Sequence, residues 1–376
     1  MVFSKTFRNS CWFINLLKPI ILLEMPKRDK NCIKSSFVLI IVILFHIIAI
    51  SNIKMHITEF SECKDSFCRK RLVMLIIWII CFLMMWYSLI LKRLQVKRMF
   101  REYAIFRDNY RAIFKRSFLV INILTFLQIT ILTASIIANM IIFFRNDELT
   151  NKWYDYIRIF EAGIFMKRVN LFFYFIYSRS IFVLFPGLLS LLHLTLFMSL
   201  NQALSTCNNY VIHCKKGKHV EDFINTYSKI HKMATSVESA ISLEMIFMIS
   251  YQYSKFYLII SSLYEKSSEF DIILLIDLSI RYLQNLLHTL SIFVAANVHV
   301  RDLDLKAKIK DVAFRMSFSK STLVYSDLLN RFIDSKTIII FTAWKMFSFT
   351  RTFIITSFGV FFTYTMLFLQ LPDSDK

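Results

Sequence analysis

The stretch LVMLIIWIICFLMMWYSLIL, residues 72–91, carries no charged side chain over its whole length. An α-helix of about 20 apolar residues crosses the roughly 30 Å hydrocarbon core of a bilayer. Six further apolar runs of similar or greater length occur, and the full set covers 36–53, 72–91, 118–144, 171–200, 241–262, 272–298 and 338–370. The pattern predicts an all-α, polytopic membrane protein with seven transmembrane helices.

The composition points the same way. The 376-residue chain is 56% hydrophobic, and it contains only four Gly and four Pro. Its mean hydropathy of +0.52 is outside the range of ordinary soluble domains. The scarcity of Gly and Pro also argues against the broken, pseudo-symmetric helices of many transporters. The one clear helix break is Pro186-Gly187 in the fourth run, where we expect a kink.

Basic residues are unevenly distributed along the chain. Of the 46 Lys and Arg residues, 29 lie in the N-terminal segment and alternate loops, at 1–35, 92–117, 201–240 and 299–337, whereas the intervening loops hold 12. Because basic loops stay on the cytoplasmic side, this predicts a cytoplasmic N-terminus and an extracellular C-terminus. The net charge of +20 then reflects topology and contact with the lipid membrane, and we expect no nucleic-acid partner.

Signals for enzymatic chemistry are weak. Glu244, at the edge of the fifth run, has no evident His or Cys partner, and the sequence contains no nucleotide-binding loop, HExxH helix or nucleophile elbow. Cys207, His213, Cys214 and His219 lie close together but match no standard zinc spacing. We therefore predict no enzyme, no catalytic residues, no cofactor and no metal.

The first predicted extracellular loop contains Cys63 and Cys68. An extracellular location permits a disulfide between them, although it does not require one. The spacing alone leaves both states open.

Polar residues inside the predicted spans are the candidates for a ligand pocket. An ionisable side chain costs about 3 kcal/mol within a span, so Arg179, Lys255, Asp277 and Arg281 each need a reason to be there. Under the predicted topology they fall at one depth, in the outer halves of their helices. The pocket candidates at this depth are Trp78, Asn139, Tyr174, Tyr177, Tyr253, Tyr257, Asp277, Arg281 and Gln284. Aromatic walls with a few polar groups suit a small ligand, but an interfacial belt or simple packing also explains each aromatic residue.

The last run carries an uncharged polar stripe. Thr352, Thr356, Gly359, Thr363 and Gln370 are spaced by four, three, four and seven residues, which places them on one helical face. Such a stripe suits close packing between helices. It also suits the wall of a water-filled pore shared by several identical helices. The residues themselves leave both uses open.

The C-terminal stretch FTAWKMFSFTRTFIITSFGVFFTYTMLFLQL, residues 341–371, resembles the signature region of insect gustatory receptors. Their last helix ends in Thr-Tyr, five hydrophobic residues, Gln and Phe. Thr363, Tyr364 and Gln370 match this pattern, whereas Leu371 replaces the Phe. Gly359 also matches, and Trp344 stands where the family usually has Gly.

The resemblance implies a chemosensory, ligand-gated cation channel in the plasma membrane, a homo- or hetero-tetramer opened by a small-molecule tastant. It implies six helices with the ligand pocket at 36–324, an anchor part of the last helix at 325–350 and a pore-lining helix at 351–371. The predicted topology adds a cytoplasmic segment at 1–35 and an extracellular tail at 372–376. Thr352, Thr356 and Thr363 would line the pore, and Gln370 and Leu371 would form its outer constriction. Tyr364 and Gly359 would serve packing.

Two other functions fit seven spans. A G-protein-coupled receptor would need its N-terminus outside, which conflicts with the distribution of basic residues, and the sequence lacks Asp-Arg-Tyr and Asn-Pro-x-x-Tyr motifs at the expected helix ends. A non-channel membrane subunit or transporter would use the polar stripe for packing only.

Overall fold

The computed structural model describes residues 32–62, 66–145, 147, 150–151, 154, 163–212, 217–264 and 272–370. The helices there are α1 (Cys32–Glu62), α2 (Ser66–Leu91), α3 (Arg93–Asn109), α4 (Arg111–Arg145), α5 (Ile164–Arg179), α6 (Phe185–Ile212), α7 (Gly217–Tyr264), α8 (Ile272–Ser317), α9 (Leu323–Asp334) and α10 (Arg351–Gln370). A π-helical segment, Ser180–Leu184, joins α5 to α6. Strands β1 (Thr342–Ala343) and β2 (Phe347–Ser348) form a short antiparallel hairpin. The chain is mostly helical, as predicted.

Several helices have the length and composition of membrane spans. Among the described residues these are Cys68–Leu91, Ser117–Ile141, Ile164–Asn208 and His219–Ser261, which overlap the second to fifth predicted runs. The first and sixth predicted runs lie within α1 and α8. The total of seven spans and the side on which each terminus lies stay predictions.

The seventh predicted run is helical only in part. Residues 338–350 are non-helical and include the β1–β2 hairpin, and α10 begins at Arg351. Ile339 and Phe341 are buried in the main core. These apolar side chains pack against the rest of the protein. A hydropathy pattern cannot distinguish such packing from a membrane span.

The core is built mainly by α6 against α8 and by α7 against α2. The π-helical segment before α6 has a local cause. Pro186 has no N–H with which to pair the carbonyl of Phe182, four residues earlier. The Tyr251 hydroxyl of α7 donates to that carbonyl instead, and the Gln284 side chain of α8 donates to the carbonyl of Val183. The irregularity expected at Pro186-Gly187 thus occurs one turn earlier, as a π-helical insertion.

The cysteine predictions are tested only in part. Cys68 is disulfide-bonded, and its expected partner Cys63 lies outside the described residues. In the described part of the chain, no group of three or more His, Cys, Asp or Glu side chains is placed to hold a metal. His213 and Cys214 lie outside that part.

Candidate functional site

One face of α10 packs against the rest of the chain. Phe353, Ile354 and Phe361 are half-buried, and Thr365 is only 3% exposed. The Phe361 ring stacks on Tyr253 of α7, with 4.6 Å between centroids and 10° between planes. The spacing of these residues makes a single helical stripe, so α10 has a defined orientation on α7 and α8.

The polar stripe of α10 is exposed. Thr352, Thr356, Gly359, Thr363 and Gln370 all lie on the exposed surface of the helix. A Cβ atom added at Gly359 would meet nothing within 4 Å, so no contact within this chain requires glycine there.

Two further members of the motif bear on packing and on the gate. Tyr364 is 67% exposed, so any packing partner must come from outside the chain. Leu371 lies outside the described residues. The pore and gate assignments of these residues stay predictions.

The hairpin before α10 is tied to α7 by hydrogen bonds. The Glu238 carboxylate accepts the backbone N–H of Thr342 at 3.0 Å and also the Thr342 hydroxyl. The Trp344 N–H donates to the carbonyl of Ser242 at 2.7 Å. Lys92, the residue between α2 and α3, donates to the carbonyl of Ser239 at 3.0 Å. Burial lowers the pKa of Lys92, and the nearby Glu238 carboxylate opposes this shift. The base of α10 is therefore held to α7.

A second set of bonds ties the preceding segment to α8. Asp302 accepts the Tyr227 hydroxyl at 2.7 Å and the Ile339 N–H at 2.9 Å. Lys306 donates to the carbonyls of Lys336 and Thr337 at 2.7 and 2.9 Å. Burial lowers the pKa of Lys306, whereas Asp302, 3.9 Å away, raises it. We call residues 335–350 with these partners on α7 and α8 the anchor.

Part of the predicted ligand set meets in one cluster beside the π-helical segment. Trp78 stacks on Tyr251 at 5.6 Å. Lys255, 2% exposed, donates to the Gln284 side chain, and its ammonium lies 4.9 Å from the centre of the Tyr251 ring. Trp78 and Gln284 belong to the predicted pocket set, and Lys255 is the ionisable residue predicted at the same depth. Tyr251 was missed, although it lies four residues before Lys255 on the same helix face.

The other members of the predicted set lie elsewhere. Asn139 donates to the carbonyl of Ser135 in its own helix at 2.8 Å, and Tyr177 is 41% exposed. Tyr174 packs at the edge of the main core, and Tyr257 is buried in a small cluster beside α10. Arg281 is half-buried on α8, and the side chain of Asp277 lies outside the described part of the chain. The structure therefore does not assemble all nine residues into one pocket.

Glu244 has a histidine partner after all. His193 Nε2 of α6 lies 3.1 Å from its carboxylate, and both side chains are buried. The sequence reading was wrong on this point because the two residues lie on different helices, 51 positions apart. The contact is close, but neither the carboxylate oxygens of Glu244 nor the ring nitrogens of His193 have a hydrogen bond of ordinary geometry within the described residues.

Comparison with known proteins gives the fold. No protein-family model matches the chain, and no curated protein matches it. Two solved structures of the insect olfactory receptor OR5 from Machilis hrabei, one in complex with eugenol and one without it, match at a TM-score of 0.62 and 11% sequence identity. Each match covers 96% of this chain and 98% of the receptor. The chain therefore has, over nearly its entire length, the fold of an insect olfactory receptor.

Proposed function

We propose that the protein is a chemosensory receptor of the gustatory type that acts as a ligand-gated cation channel in the plasma membrane. The observation that carries the proposal is the orientation of α10. Its aromatic face packs on α7 and α8, and its uncharged polar stripe faces away from the chain. The shared fold with an insect olfactory receptor supports the chemosensory class.

The pore is formed by four copies of the chain. One helix cannot enclose a pore, but cyclic symmetry brings the same stripe of each copy to a common axis. Hydroxyl and amide dipoles along Thr352, Thr356, Thr363 and Gln370 then replace part of the hydration of a permeating cation. Gln370 and Leu371 form the constriction at the end of the pore. Related subunits of the same fold could replace some copies in a mixed tetramer.

Gating follows from how α10 is held. Hydrogen bonds fix the anchor, and at the start of α10 the Arg351 guanidinium donates to Asn297 of α8 at 2.9 Å. Further along α10, Phe361 contacts the rings of Tyr253 and Phe256 on α7. The membrane part of α10 therefore has fewer directional bonds than its base. A small neutral molecule bound among the helices favours the arrangement in which the four α10 helices separate, because it binds that arrangement more tightly. The eugenol complex of the Machilis receptor shows that this fold accommodates a small aromatic molecule.

Whole-cell recording tests the proposal. Cells expressing the full chain, alone and with related subunits, are exposed to a panel of tastants. In a responding cell, Gln370→Ala changes single-channel conductance or cation selectivity, because it removes the amide at the constriction. Gln95→Ala, an exposed amide on α3, is the matched control and leaves both unchanged. Identical conductance and selectivity for Gln370→Ala and wild type would contradict the pore assignment.

A further inference from the structure

A cavity of about 270 Å³ lies between α7, α8 and α10. Among the described residues, Tyr253 is the one member of the predicted ligand set that lines this cavity. The cavity is therefore distinct from the Trp78–Gln284 cluster. The wall from α10 consists of Phe353, Ile354, Ser357 and Phe358, and apolar residues of α7 and α8 such as Ile249, Phe256 and Leu286 complete most of the rest. Whatever occupies this cavity touches the helix that we assign to the pore.

The remaining wall carries polar groups without partners. Gln252 and His288 are each only 4% exposed, and both line the cavity. Within the described residues, neither the amide atoms of Gln252 nor the ring nitrogens of His288 have a hydrogen-bond partner, and the same holds for Asn285 Nδ2. Buried polar groups are nearly always paired, because leaving them unpaired is costly. These groups thus indicate an occupant that offers hydrogen bonds.

The chemistry of the wall defines the occupant. None of the described residues that line the cavity is Asp, Glu, Lys or Arg, so no permanently charged side chain there compensates a ligand charge. The Gln252 amide and the His288 ring can each both donate and accept a hydrogen bond. The volume is near the lower end for small-molecule pockets, about 300–1,000 Å³. A neutral molecule with an apolar ring and one hydroxyl or carbonyl group satisfies all three conditions.

We propose that this cavity is a binding site for a neutral, single-ring amphipathic molecule, whose polar group pairs with Gln252 and His288 and whose ring contacts α10. The effect of binding rests on the proposed channel function: a bound molecule changes the position of α10 without acting through the Trp78 cluster. The binding itself does not depend on the protein being a channel.

Photolabelling of the purified full-length protein tests the site. The probe is a phenol that carries a trifluoromethyl diazirine, and the comparison reagent is the same aryl diazirine without its hydroxyl. Mass spectrometry locates the adducts. We expect phenol adducts on cavity-lining peptides of α7, α8 and α10, and a loss of about tenfold in their yield at sub-saturating probe for Gln252→Leu and for His288→Leu. The reagent without the hydroxyl labels both variants as it labels wild type.

A matched control distinguishes recognition from misfolding. Gln128→Leu removes another buried amide that has no partner in the described residues, on α4 and outside the cavity, and should leave labelling unchanged. Thr289→Phe, which fills the cavity from α8, should abolish labelling by both reagents even if a Leu variant does not fold.

Two results would overturn the inference. One is the absence of adducts on the cavity lining. The other is phenol labelling that Gln252→Leu and His288→Leu leave unchanged, which would mean an apolar groove filled by a lipid chain. Current recording is a separate readout: labelling without any ligand-evoked current would refute the channel and leave the site standing, whereas current without labelling would refute the site alone.

Discussion

At the tip of the β1–β2 hairpin, Trp344 and Lys345 have φ angles of 50° and 60°. Side chains other than glycine adopt this region at a cost of roughly 1–2 kcal/mol per residue. Trp344 also stands where the gustatory receptors that this sequence resembles usually have glycine. We expect Trp344→Gly to raise the free energy of unfolding by about 1 kcal/mol, after allowing for the greater entropy of glycine in the unfolded chain. Thermal unfolding of the purified protein in detergent measures the change.

The control for this variant lies in the same loop. Met346 does not have a positive φ, so Met346→Gly only adds flexibility and should lower the unfolding temperature. If both glycine variants shifted the temperature in the same direction and by the same amount, backbone strain at Trp344 would not be the cause.

Within the anchor, the most buried hydrogen bond joins Tyr227 to Asp302. Tyr227→Phe leaves the carboxylate one donor short in a buried place, which should cost about 1–3 kcal/mol of stability. Tyr325→Phe, on α9, removes a hydroxyl that makes no hydrogen bond within the described residues and should change little. Denaturation of the two variants side by side measures the difference. Equal stability of Tyr227→Phe and wild type would contradict the role given to Asp302.

Near the junction of α5 and α6, Gly187 lies directly against a side chain of α4. A Cβ atom added to Gly187 would lie 1.4 Å from Nε2 of Gln128, a buried side chain of α4. We expect Gly187→Ala to cost about 1–3 kcal/mol, because Gln128 must move within a packed core. Gln128→Ala in the same chain should restore most of the loss. A double-mutant cycle measures the coupling, and purely additive effects would show that the close approach is not responsible.

The positions of most helices could be predicted from the sequence, because long apolar runs with so little Gly and Pro form few structures other than helices. The exception, 338–350, shows the limit. Ile339 and Phe341 are as apolar as a span, yet they lie outside any helix and are buried in the protein core, where the Phe341 ring contacts Phe197 of α6. Hydropathy records burial and does not say whether protein or lipid provides it.

The candidate site was less readable for a related reason. The polar stripe of α10 follows from spacing within one helix, and in the structure it lies on a different face from Phe353, Ile354 and Phe361. Contacts between different helices produce no comparable spacing pattern in the sequence. His193 with Glu244, and Tyr251 with the Phe182 carbonyl, join residues 51 and 69 positions apart, and only the packing of α6, α7 and the π-helical segment brings them together.

For the whole molecule, orientation in the membrane is the first prediction to test. The excess of Lys and Arg in the N-terminal segment and alternate loops places residue 1 in the cytoplasm. An epitope tag at residue 1 should stain only permeabilised cells, whereas a tag after residue 376 should stain intact cells. Staining of intact cells through the N-terminal tag would reverse the topology and favour a G-protein-coupled receptor.

The exposed surface of α10 is the feature of the whole molecule that most needs a partner. Ile355 and Leu367 are exposed together with the polar stripe, so the helix presents both apolar and polar surface away from its own chain. In a tetramer, neighbouring subunits and lipid cover the apolar part while the stripe faces the axis. This arrangement places Thr363 and Thr365, only two residues apart, in opposite environments.

Cysteine accessibility during current recording tests that arrangement most directly. Thr363 lies on the exposed stripe, whereas Thr365 is buried against the chain. In cells with ligand-evoked current, a cationic methanethiosulfonate reagent applied to open channels should block Thr363→Cys and leave Thr365→Cys unaffected. Equal sensitivity of the two variants, or block of Thr365→Cys alone, would show that this face of α10 does not line the pore.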